Sequence, residues 1–261
     1  MSTLNAPLAL RSLEYWIFQY KRTWRGSVVS TVLFPVLFLA SMGIGLGTLV
    51  DSSASGGIGG LPYLVFLAPG LLAATAMQTG VGESTYPVMG AIKWFKTYHA
   101  MLATPLGVPE VLAGHLLYIA ARVLAGSAVF LAVMVLFGAV RSPLALLALP
   151  AAVLTGMAFS APVVAFAATT ENDAGFATLF RFVVTPLFLF GGVFFPVQQL
   201  PPVLEQLAYV TPLWHGVALS RGLALGTSTA GGVLLHVAYL SAWIAAGVWV
   251  AARAYRRRLA V

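Results

Sequence analysis

Three ionisable residues of this sequence stand where apolar runs surround or adjoin them. Arg122 lies well inside one run, Arg181 near the start of another, and Glu83 at the end of a third. A charge at membrane depth is costly, so it pairs, snorkels or lines a functional cavity. Two readings are open for Arg122. It pairs with a nearby acid such as Glu83, or it faces a cavity. In the second case Arg122 or Arg181 would attract the anionic headgroup of a lipid-like substrate.

Other chemistries find no residues to carry them. There is no cysteine, hence no thiolate nucleophile, thiolate metal site or disulfide. The histidines His99, His115, His215 and His236 lack metal-ligand spacing. The first two are expected near one membrane face and the last two near the other, so a shared site is not expected. No G-x-S-x-G element offers an activated serine. No G-x-x-x-x-G-K-[ST] loop is present to cradle a nucleotide. The chain is therefore read as a non-enzyme that binds no metal or cofactor of its own. Any energy must come from a partner or an ion gradient.

The elements that place these residues follow from composition. Of 261 residues 60% are hydrophobic and 8% charged, where soluble domains carry about 25% charged residues. A soluble fold could not hide so much apolar surface, whereas a bilayer accepts it. A membrane helix needs about 20 apolar residues, and six segments qualify: 27–50, 62–81, 111–138, 143–168, 176–195 and 232–252. The expectation is an all-α integral membrane protein, one domain over 1–261, with a flexible loop over 52–60 and no signal peptide.

Charge sets the orientation. Arg11, Lys21, Arg22 and Arg25 precede the first span, Lys93 and Lys96 follow the second, and Arg253, Arg256, Arg257 and Arg258 follow the sixth. The opposite side holds Arg141 and Arg221. By the positive-inside rule both termini are cytoplasmic, which agrees with an even span number. The net charge of +7 is accounted for by these flanks, and nucleic acid is not an expected partner.

Three segments between or before the spans carry further signals. In 1–26, Leu10, Leu13, Ile17, Tyr20 and Trp24 recur at helical spacing, while Arg11, Glu14, Arg22 and Arg25 avoid that face. This predicts an amphipathic helix in the membrane interface. In the loop after the second span, Trp94, Tyr98, Met101 and Leu102 share one face of a short helix that ends before Pro105. An exposed aromatic face there needs lipid headgroups or a protein partner, and the residues alone leave both open. After the fifth span, 196–215 is apolar yet broken by prolines. Its helical piece is too short to cross a bilayer, so a re-entrant hairpin is expected. Gly191 and Gly192 suit a bend or a close contact at its start.

Two of these stretches resemble a known family. The run Phe190-Gly191-Gly192-Val193-Phe194-Phe195-Pro196, then Pro201-Pro202 and Pro212-Leu213-Trp214-His215, is similar to the signature of type-2 ABC exporter membrane subunits. The likeness is strongest to the permeases of nodulation-factor and daunorubicin-type drug exporters. Tyr98-His99-Ala100-Met101-Leu102-Ala103-Thr104-Pro105-Leu106 resembles that family's cytoplasmic E-x-L-L-x-T-P-L loop, with His99 where an acid is usual. Glu83, in Glu83-Ser84-Thr85-Tyr86, also fits the pattern.

The resemblance implies a permease of the bacterial plasma membrane that pairs with a second copy. Two cytoplasmic ATPase subunits would hold ATP and Mg. Trp94, Phe95, Tyr98, His99, Met101 and Leu102 would form the helix coupled to the ATPase. The fifth span and the hairpin, with Gly191, Gly192, Phe194, Pro196, Pro201, Pro202 and Trp214, would line the dimer interface and exit gate. The cargo would be an amphipathic drug, lipid or glycolipid. Two other classes stand beside it. A gradient-driven transporter needs midplane acids, and a membrane-embedded enzyme or assembly factor needs polar residues clustered at one face.

Overall fold

The computed structural model describes residues 4–52 and 57–259; part of the predicted loop 52–60, residues 53–56, lies outside them. Among the described residues the chain is helical, with one isolated bridge, Ile58 to Leu61, in place of any strand. We label the helices α1 (Ala6–Phe38, continued by Leu39–Leu46 and Gly47–Asp51), α2 (Tyr63–Trp94), α3 (Thr97–Leu102), α4 (Val108–Leu136), α5 (Ala148–Thr169), α6 (Ala174–Phe190), α7 (Pro202–Val210), α8 (Pro212–Leu225) and α9 (Ala230–Leu259).

Among the described residues five helical stretches are long and apolar enough to cross a membrane: Thr31–Asp51, Tyr63–Trp94, Val108–Leu136, Pro143–Thr169 and Ala230–Leu259. The segment expected as the fifth of six spans ends at Phe190, not at 195. At 1.5 Å per residue it reaches roughly 25 Å, short of the ~30 Å apolar thickness of a bilayer. Gly191 closes it, and Gly192 follows with φ +79°, a left-handed conformation that glycine adopts without penalty.

The helix expected over 1–26 is continuous with the first span. From residue 6 onward the chain is one helix that passes 26 without a break. Pro35 does not stop it, and wide-turn π-helical geometry takes over at Leu39–Leu46. Most of the face expected at the membrane interface points away from the bundle, and a different face packs. Ala9, Ser12 and Trp16 are buried, whereas Leu10, Ile17 and Trp24 are exposed. Ser12 sits directly against Gly114 of α4, so small residues, not the bulky stripe, let the two helices approach.

α5 is the centre of the bundle, touching α2, α4, α8 and α9. Gly247 of α9 meets Ala161 and Pro162 of α5. Ala151, Ala158, Leu219, Leu223 and Leu240 fill the joint among α5, α8 and α9. α2 is buried along most of its length, while α6 leaves Phe182, Val183, Leu189 and Phe190 uncovered. The outer wall of α1 is likewise apolar and exposed at Val32, Leu33, Phe34 and Leu37. Phe38 of α1 joins these two walls through Phe188 and Phe194.

Candidate functional site

The loop between α2 and α4 divides into an exposed tip and a buried root. Trp94 and Phe95 are 56% and 77% exposed, whereas Tyr98 is fully buried and Met101 nearly so. The single apolar face expected across Trp94, Tyr98, Met101 and Leu102 is thereby corrected. Lys96 takes a left-handed conformation (φ 50°) that breaks the helix between the two halves. His99 and Leu102 are partly buried.

The root is a polar knot inside the bundle. The Tyr255 hydroxyl donates to the Tyr98 hydroxyl at 3.1 Å, and Tyr98 in turn meets His115 Nδ1. Burial pushes the Tyr98 phenol well above its usual pKa, with Tyr255 adding to the effect, so it keeps its proton and donates it. His115 therefore accepts at Nδ1 and holds its hydrogen on Nε2, a tautomer assigned from the network. Trp16 of α1 stacks on the His115 ring at 4.2 Å. Ser12 Oγ donates to Met101 Sδ at 3.9 Å. One short segment is thus tied to α1, α4 and α9.

Charges close the same end. Glu171, after α5, accepts from Lys93 Nζ at 2.9 Å and from Arg258 Nη1 at 2.8 Å. Lys93 and Arg258 together hold the Glu171 carboxyl below the usual carboxylate range, with Lys93 the larger cause. The Asn5 backbone N–H donates to Glu110 Oε1 at 2.8 Å. The N-terminal, α2–α4 and C-terminal segments therefore meet at one end of the bundle.

Deeper in, Arg122 Nε donates to Glu83 Oε1 at 3.0 Å, with both side chains about four-fifths buried. The guanidinium also lies over the Tyr20 ring, 4.2 Å from its centroid. The pairing expected for Arg122 is present, and the pair also borders a cavity of about 630 Å³ among α1, α2 and α4. Thr75, Gln78 and Thr79 add polar groups to its wall, and Phe34, Val129 and Phe130 add apolar surface. Arg181, in contrast, is exposed and makes no ion pair among the described residues.

At the other end, α7 and α8 follow the exit from α6. Thr211 caps α8, its Oγ1 accepting from the Trp214 N–H at 3.4 Å. Trp214 packs edge-on against Tyr209 at 4.7 Å. Gly191 and Gly192 are buried, Phe194 and Pro196 partly so, and Pro201 and Pro202 are exposed. His215 and His236, expected toward the same face, meet there, their Nδ1 atoms 2.9 Å apart. His215 Nε2 donates to the Tyr209 carbonyl at 3.1 Å, so its Nδ1 accepts from His236. Among the described residues no group of three or more metal-ligating side chains gathers.

Residues 12–225 match the ABC-2 type transporter family. The chain is similar to nodulation protein J of Rhizobium leguminosarum bv. viciae, 32% identical over 99% of this chain and 98% of that one. It is similar to nodulation protein J of Sinorhizobium fredii at 29% identity, over 94% of each chain. The inner membrane transport permease YadH of Escherichia coli is 26% identical over 84% of each.

Proposed function

The chain belongs to the ABC-2 type transporter family, and from that membership we propose that it is the permease subunit of an ATP-driven exporter. It is a multi-pass membrane protein of transport type, with bacterial relatives that include an inner membrane transport permease. Two permease copies, each with six membrane passes if α6 is counted, work with two cytoplasmic ATPase subunits that bind ATP and Mg. The basic end of the bundle faces the cytoplasm by the positive-inside rule. The α7–α8 hairpin re-enters from the outer side, and the uncovered apolar walls of α1 and α6 meet the second copy.

The observation that carries the reading is the split α2–α4 loop. Trp94 and Phe95 project from the bundle, while Tyr98 is bonded into three helices behind them. An ATPase groove that grips the tip would move the root, and the root would tilt α1, α4 and α9 together. Packed interfaces convert such displacements into two discrete arrangements. The cavity bordered by Glu83 and Arg122 is within the size range of ligand pockets, about 300–1,000 Å³. Its mixed lining suits an amphipathic drug, lipid or glycolipid.

The test is co-expression with an ATPase subunit, followed by ATPase and transport assays in proteoliposomes. A stable complex whose hydrolysis rises with an amphipathic substrate is expected. Uptake that needs a proton gradient and proceeds without the ATPase would instead favour a gradient-driven transporter, with Glu83 as the acid.

A further inference from the structure

Arg221 of α8 carries a charge that no acidic side chain neutralises among the described residues. Its Nε donates to the Phe66 carbonyl at 3.0 Å, and its Nη2 to the carbonyls of Gly192 at 2.9 Å and Val193 at 3.3 Å. The guanidinium lies over the Phe66 ring, 3.8 Å from the centroid. Gly70 makes the room, since a Cβ there would stand 2.8 Å from Nη2. These contacts fix the orientation of the cation, but carbonyl dipoles and a ring face supply no net negative charge.

Nη1 makes no hydrogen bond among the described residues, and Arg221 borders a cavity of about 410 Å³. The wall also holds Thr227, Ser228 and Thr229, whose Oγ1 accepts from the Gly232 N–H at 3.2 Å in the first turn of α9. That 30-residue helix presents its positive end to the cavity. Gln198 and Trp214 close the side. A fixed guanidinium, three hydroxyl side chains and a helix N-terminus form a donor set for a group with several acceptor oxygens.

We propose that this cavity binds a phosphate group, carried by a phospholipid headgroup or by a soluble phosphate compound. It lies at the end of the bundle away from Lys93 and Glu171. The inference depends on neither the exporter reading nor the direction of transport. The phosphate would bridge α8 to the start of α9, supplying the anion that the fold itself omits.

The test uses the full chain purified in a neutral detergent and titrated with dioleoyl phosphatidylglycerol under native mass spectrometry. Dioleoylglycerol is the phosphate-free control, and inorganic phosphate is the competitor. The wild type is expected to retain the phospholipid and release the control. Thr227→Asp, at an exposed position, adds a rival carboxylate and should weaken retention about tenfold or more. Arg221→Gln should do the same, and Thr227→Asp decides the matter if that variant does not fold. Competition by inorganic phosphate would support a soluble source, and retention without competition a lipid source. Equal retention by wild type and Thr227→Asp, or no selective retention by the wild type, would overturn the proposal.

Discussion

The hydroxyl of Tyr255 donates to the hydroxyl of Tyr98 across 3.1 Å and 157 residues of sequence. That bond ties the C-terminal helix to the segment just behind the exposed tip of the α2–α4 loop. Because Tyr98 also donates to His115, it is the middle of a relay with no solvent to replace either partner.

Tyr98→Phe should therefore destabilise the protein without changing its packing volume. It leaves the Tyr255 hydroxyl without its acceptor and His115 Nδ1 without its donor, each worth about 1–3 kcal/mol when buried. Thermal unfolding in detergent checks this. The double variant Tyr98→Phe/Tyr255→Phe should cost less than the sum of the two single changes, because the pair fails together.

Trp94→Ala/Phe95→Ala should behave in the opposite way. Both side chains are exposed, so stability should change by no more than about 0.5 kcal/mol. Affinity for the ATPase should fall by about 2 kcal/mol or more, near thirtyfold, as for aromatic anchors of an interface. Measured affinity equal to wild type would refute the docking role of the tip.

Arg122→Gln should destabilise by about 1–3 kcal/mol, less than a fully buried broken pair because both partners keep some exposure. Adding Glu83→Gln should recover much of that loss, since the uncompensated carboxylate is then gone. If export falls in the double variant while stability returns, the charges of the cavity serve the cargo. Undiminished export by that variant would assign the pair to structure alone.

Acid should weaken the Glu171 link. The folded carboxyl is held below its ordinary value of 4.5, so its contribution is complete above that value. The contribution declines as pH falls below the ordinary value and is gone once pH passes through the depressed folded value. The difference in melting temperature between wild type and Glu171→Gln should shrink from pH 7 toward pH 3. Added salt should also shrink it at neutral pH, because Glu171 is exposed.

The motifs resembled the family that residues 12–225 match, and the sequence by itself determined the membrane class, the long apolar helices and the proline-broken segment after α6. These follow from composition and local pattern, which need no neighbour. It also made the Glu83–Arg122 pair legible, as two opposite charges at apolar segments. Tertiary structure alone decided which face of each helix is packed. Lipid is as apolar as a protein interior, so hydrophobic periodicity does not mark the protein-facing side of a membrane helix. That is why Ala9, Ser12 and Trp16 face α4 while Leu10, Ile17 and Trp24 face outward. Tertiary structure also decided the long-range partners: Tyr98 with Tyr255, His215 with His236, Glu171 with Lys93 and Arg258, and Arg221 with three carbonyls. No local spacing encodes such meetings, because they depend on how separate helices stack and rotate against one another.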